Sequence, residues 1–168
     1  MAEKRYGFET LALHAGAAPD SATGARATPI YQNTSYVFES AEHAASLFNL
    51  QEPGFIYSRL TNPTISVLAE RLAALDDGIG AVVTASGHSA QILALLPLMM
   101  PGDHIVAADK LYGGSINQMG HTFKKWDWHV DFVDATDPDA FRKALTPRTK
   151  ALFVECLANP GGVVVDLE

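Results

Sequence analysis

The residues able to do chemistry gather in four short stretches. In Thr84-Ala85-Ser86-Gly87-His88-Ser89 a β-rich run ends, small residues turn the chain and a helix begins. The first turn of a helix carries N–H groups with no intrahelical acceptor and sits at the positive end of the helix dipole, so it attracts phosphate. Gly87 lets the backbone come close to a ligand. An ordinary strand-to-helix turn reads the same way, and neither GxxxxGK[ST] nor GxGxxG is present. Tyr57-Ser58-Arg59 offers a guanidinium fork for phosphate or carboxylate, or a solvated surface arginine. Leu111-Tyr112-Gly113-Gly114-Ser115 sets an aromatic ring before two glycines, where it can face a flat ligand or pack as an ordinary tyrosine. In Glu155-Cys156-Leu157-Ala158-Asn159-Pro160-Gly161-Gly162 the asparagine precedes a proline and is held extended, so its amide can point at a ligand oxygen or serve a plain turn. Cys156 reads as a small core residue, since nothing in sequence lowers its pKa.

These stretches must be positioned by regular elements. Residues 1–60 are rich in Thr, Ala, Gly and Pro and read as an amino-terminal arm. It holds one clear helix, about Ala41 to Leu50 behind the cap Ser40, and Ala27 to Val37 is expected to be extended. From residue 61 to 168 the pattern is regular. Asn62 caps a helix with Pro63 at its first position; Ile65, Leu68, Leu72 and Leu75 mark its apolar face, and Asp77-Gly78 ends it. Expected strands are Ala81–Thr84, Ile105–Ala108, His129–Val133 and Ala151–Glu155. Expected helices are His88–Met99, which Pro97 kinks or shortens, Ser115–Lys125, and one from Asp137-Pro138 to Leu145. Such alternation predicts an α/β fold with a mostly parallel sheet covered by helices. Loops at the carboxyl ends of its strands are then the natural ligand sites. Val163–Val165 starts one more element just as the sequence stops, which reads as the front part of a longer domain.

Bulk properties narrow the classes. The chain has 168 residues, 48% of them hydrophobic, enough for a core. A net charge of −7 argues against a broad nucleic-acid face. The single cysteine rules out an internal disulfide and suggests a reducing, cytoplasmic setting. Met1–Glu9 lacks the apolar run of a signal peptide, and the longest apolar stretch, Ile92–Met100, is too short to span a bilayer. The histidines show neither HxxxH nor HExxH, so no metal motif is present.

Taken in order, YSRLTNPT, TASGHSA, LYGGS and VECLANPGG resemble the Cys/Met-metabolism branch of the fold-type-I pyridoxal-phosphate (PLP) enzymes over nearly the whole chain. The stretches from Gly7 to Phe38 and from His43 to Arg59 resemble the O-acetylhomoserine sulfhydrylases in particular. The resemblance implies a truncated fold-type-I large domain with PLP as cofactor. Its phosphate would lie on the backbone of Gly87 and His88. Tyr112, the one catalytic residue carried over, would stack on the pyridine ring, and Asn159 would contact the ring hydroxyl. Tyr57 and Arg59 would reach the phosphate of a neighbouring subunit in a homo-oligomer, a tetramer in the family. The implied reaction replaces the acetate of O-acetylhomoserine by sulfide or methanethiol, giving homocysteine or methionine. Cystathionine γ-synthase, a γ- or β-lyase, or a non-catalytic binding or assembly fragment are the alternatives. Methionine γ-lyases typically carry cysteine where Gly114 stands, which favours synthesis. The family's Schiff-base lysine and the aspartate that pairs with the pyridinium are expected beyond residue 168. None of Lys4, Lys110, Lys124, Lys125, Lys143 and Lys150 has the Ser/Thr-rich setting of that lysine.

Overall fold

A computed structural model describes residues 6–167; Lys4 and the ends of the chain lie outside them. The chain divides into two compact units, one running to Val83 and the other starting at Thr84.

The first unit is built on three helices, α1 (Phe8–His14), α2 (Ala41–Phe48) and α3 (Pro63–Leu75). Helix α1 was not expected from sequence. It packs against α3, and Arg71 Nε donates to the Ala15 carbonyl at 3.0 Å. Gly16 makes the close approach possible: its φ is +69°, and a Cβ there would lie 2.8 Å from the Val67 carbonyl oxygen and from Glu70 Cβ. The two expected caps form. Ser40 Oγ accepts from the His43 N–H, and Asn62 Oδ1 accepts from the Thr64 N–H ahead of Pro63. Asn62 is buried and does more, since its Nδ2 donates to the Tyr31 carbonyl and to Ser58 Oγ. It thereby ties the extended segment to the start of α3, together with a short bridge between Ser35 and Tyr57.

Two expectations for this unit need correction. Ala81–Thr84 is not a strand, because no described segment pairs with it through a β-bridge or ladder. The apolar face of α3 is not a core face here: Ile65, Leu68 and Leu72 each remain more than two-fifths exposed, because α1 meets the helix on the side of Val67, Glu70 and Arg71.

The second unit carries the sheet. Strands β1 (His104–Ala108), β2 (His129–Val133) and β3 (Thr149–Phe153) pair in the order β2-β1-β3, both pairs parallel. All five residues of β1 are buried, as a central strand covered on both faces requires. Helix α4 (Gly87–Leu95) precedes β1, and α6 (Pro138–Ala144) links β2 to β3. Between β1 and β2 runs α5 (Gly113–Asn117), which continues as a wider π turn over Gln118–Thr122 and a 3₁₀ turn over Phe123–Trp126. This helical stretch starts two residues before the expected Ser115, within the two glycines. Leu95 and Met99 pack with Ile105, Ala107, Met119, Phe123 and Trp128 to form the core. Helix α4 ends at Leu95, ahead of Pro97, and Val163–Val165 contributes only a single antiparallel bridge, Val164 to Leu157. Cys156 is exposed and is not a core residue; it follows the end of β3 on a loop, where the alternation of the strand no longer directs it inward.

Asp109 joins the ends of β1 and β2. Its Oδ1 accepts from the Ala135 N–H at 3.2 Å and its Oδ2 from Lys110 Nζ at 2.8 Å. The Lys110 hydrogen bond first, and the Ala135 amide with it, hold this carboxyl below the ordinary aspartate value. A depressed native pKa means that the contribution is present above the ordinary value and is lost as pH falls through the native one. Asp109→Asn should therefore lower the urea midpoint most at neutral pH and least in acid, which leaves its midpoint-versus-pH curve flatter than that of wild type below about pH 4. Ile105→Ala, in the fully buried centre of β1, should cost about 2–5 kcal/mol by urea denaturation.

Candidate functional site

Parallel pairing puts the carboxyl ends of β1, β2 and β3 on one side of the sheet. Leu111-Tyr112 leaves β1 there, and Glu155 follows β3 there. The amino end of α4 meets them, so that Ser86, Gly87, His88, Gln91, Tyr112, Ser115 and Glu155 line one cavity of about 250 Å³. A larger hollow of about 410 Å³ beside α6 is lined chiefly by Pro138, Phe141, Leu145, Leu152 and Val154, and it holds none of the residues singled out in the sequence.

Helix α4 starts as the Ser86 cap dictates. Ser86 Oγ accepts from the Ser89 N–H at 3.2 Å, and the Ser86 carbonyl accepts from the Ala90 N–H at 3.1 Å. That leaves the N–H groups of Gly87 and His88 without a protein acceptor among the described residues, both at the positive end of the helix. Tyr112 is half exposed at the start of α5. The His88 imidazole lies against its ring, with centroids 5.8 Å apart and planes tilted by 31°. Both rings sit over Gly114. A Cβ at that position would be 2.5 Å from Tyr112 and 2.7 Å from the His88 imidazole, so any side chain there requires both rings to shift.

Gln91 donates from Nε2 to Ser115 Oγ at 2.8 Å and keeps its buried Oε1 without a donor. Gln118 holds the helix start from behind, with Nε2 on the His88 carbonyl at 3.2 Å. The Glu155 carboxylate accepts from two backbone N–H groups, Tyr112 at 2.9 Å on Oε1 and Asn159 at 3.3 Å on Oε2. Three of the sequence-derived residues, Gly87, His88 and Tyr112, thus share one cavity. Asn159 does not line it and joins it through Glu155. Tyr57 and Arg59 belong to the first unit, where Arg59 Cζ lies 5.4 Å from the Tyr57 ring centroid. Arg59 has no carboxylate partner among the described residues, and none of the described lysines lines the cavity.

The family model for the Cys/Met metabolism PLP-dependent enzymes matches residues 9–168. This chain belongs to that family. Among its relatives, an O-acetyl-L-homoserine sulfhydrylase of Leptospira meyeri is 53% identical over 152 residues, 90% of this chain and 34% of that protein. O-acetyl-L-homoserine sulfhydrylase 1 of Thermus thermophilus is 50% identical over 96% of this chain and 38% of its own length. The crystal structure of a putative O-acetylhomoserine (thiol)-lyase from Campylobacter jejuni, which contains N'-pyridoxyl-lysine-5'-monophosphate, superposes with a TM-score of 0.88 at 41% identity, covering 96% of this chain and 40% of that one. This member of the family therefore spans between a third and two-fifths of the length of these relatives. The match at 41% identity and high TM-score also shows a fold-type-I α/β architecture.

The residues present fit PLP. Two unpaired N–H groups at a helix start suit its phosphate, an exposed ring suits its pyridine face, and a cavity lies between them. Sequence reasoning missed Glu155, Gln91 and Ser115, whose roles depend on partners far away in the chain. Gly114→Ala should push the two rings apart and weaken PLP uptake by about tenfold or more, with far-UV circular dichroism unchanged; equilibrium dialysis and the near-UV spectrum measure the two effects.

Proposed function

We propose that the chain is the cofactor-facing part of an enzyme that uses PLP to replace the acetate of O-acetylhomoserine by sulfide or a small thiol. One observation carries the PLP reading: the unpaired Gly87 and His88 amides open into the same cavity as the Tyr112 ring. The substrate class is supported by the similarity to O-acetyl-L-homoserine sulfhydrylases.

When bound, PLP supplies an electron sink that makes bonds next to the substrate nitrogen labile. The chain's own residues bind and orient. The Gly87 and His88 N–H groups donate to phosphate oxygens, aided by the α4 dipole. The Tyr112 ring would lie along the pyridine and keep water from that face. Asn159, tied to the cavity through Glu155, would offer its amide to the ring hydroxyl. Ser86 holds the helix start in shape through its bond from Ser89, so the two donors need no rearrangement. In the same reading the protein is a homo-oligomer in the cytoplasm, and Tyr57 and Arg59 serve the phosphate of a second copy. No described carboxylate pairs with the Arg59 guanidinium, which supports this role.

Gly87→Pro tests the phosphate site. Proline is tolerated at the first helical position, Ser86 already has the extended backbone that precedes proline, and no atom stands within 4 Å of a Cβ there. The substitution therefore removes one donor and spares the helix. PLP affinity should fall by about tenfold or more, as should competition by inorganic phosphate, both read by equilibrium dialysis. Unchanged affinity would count against the site. With no lysine in the cavity, PLP held by this chain should also stay dialysable after borohydride treatment, and the chain alone should not turn over O-acetylhomoserine. A stoichiometrically labelled lysine found by mass spectrometry would show otherwise.

A further inference from the structure

We propose that Glu155 is a positioning residue of the PLP site, a single carboxylate that sets the loop carrying Tyr112 and the loop carrying Asn159 relative to each other. The inference rests on the PLP reading above and adds a residue to it. Glu155 stands two residues past the end of β3, at the carboxyl side of the sheet. Its Oε1 takes the Tyr112 N–H at 2.9 Å, and its Oε2 takes the Asn159 N–H at 3.3 Å. The first of these bonds crosses 43 positions of sequence. It fixes the backbone at the residue that starts α5, where no side chain caps the helix. The Tyr112 carbonyl is held from the other side, accepting from the N–H groups of Ser115 and Ile116.

The chemistry selects glutamate. Two converging N–H donors need two acceptors on one group, and an ionised carboxylate has them. Glutamine has the same shape, but it offers one oxygen and turns an NH₂ toward the second donor. Aspartate keeps the charge and is one methylene too short to meet both loops at these distances. Both backbone amides belong to residues that face the pyridine ring in the proposed site, one through its own ring and the other through its side-chain amide. Loss of the tie therefore disturbs the ring contacts and leaves the phosphate contacts at Gly87 and His88 in place.

The 168-residue chain tests this without turnover. In wild type, amide hydrogen exchange by NMR should show both Tyr112 and Asn159 protected, Asn159 the less because its bond is longer. An Asn159 or Tyr112 amide that exchanges at the free rate overturns the proposal. In Glu155→Gln and Glu155→Asp, exchange at these two amides should speed up by about tenfold, and PLP affinity should fall by about the same factor. The circular dichroism induced in bound PLP, which reports a fixed ring orientation, should drop per molecule bound. Binding of inorganic phosphate should not change. A variant that keeps wild-type PLP affinity and induced dichroism overturns the role of Glu155 and leaves the cofactor reading standing. A wild-type chain that takes up no PLP overturns that reading, and this inference with it.

Discussion

The second unit depends on the burial of one five-residue strand. His104–Ala108 lies between two parallel neighbours with every residue shielded from water, so its backbone can be satisfied only by the ladder on either side. Parallel pairing then fixes direction. The three chain segments that leave the sheet at the carboxyl ends emerge on one side and bring polar groups with them. Asp109 binds the end of β2 through Ala135, and Glu155 binds the start of α5 through Tyr112. Leu95, the last residue of α4, and Met99 beyond it join the same buried cluster as Ile105 and Ala107. The amides of Gly87 and His88, which have no acceptor among the described residues, lie at the other end of α4.

Much of this was legible in sequence because the signals are local. Asn62-Pro63, Ser40 and Asp137-Pro138 start helices through bonds to residues two or three positions on. The strands at His129–Val133 and around Ile105 were readable from β-rich runs bounded by Pro-Gly-Asp and Asp-Pro. The strand expected at Ala151–Glu155 forms two residues earlier, at Thr149–Phe153, since the ladder with β1 sets its ends and composition does not. Gly87, His88 and Tyr112 could be picked out because a small-residue turn and an aromatic before glycines are visible without any partner.

What escaped notice is non-local. Glu155 looks like any strand-end carboxylate until the Tyr112 amide comes within reach of it. Gln91 and Ser115 become a pair only when α4 and α5 lie side by side. Helix α1 is short and has no side-chain cap, so its support comes from α3, through Gly16 and Arg71. The failure at Ala81–Thr84 has the opposite cause. The residues favour a strand, but a strand is a relation between two segments, and the second is missing among the described residues.

The space over Gly114 links two positions that composition would treat as unrelated. His88 and Tyr112 occupy the volume that a side chain at residue 114 would need. Sequence drift at these sites is therefore not independent. A lineage that gains a side chain at position 114 must first, or at the same step, redirect the ring at position 112 and shrink or redirect the residue at position 88. A histidine at 88 holds glycine at 114, whereas glycine at 114 leaves position 88 free to shrink, so the constraint runs one way. Sterics alone would then set the order of the two substitutions, with the room made at position 88 preceding the side chain gained at position 114.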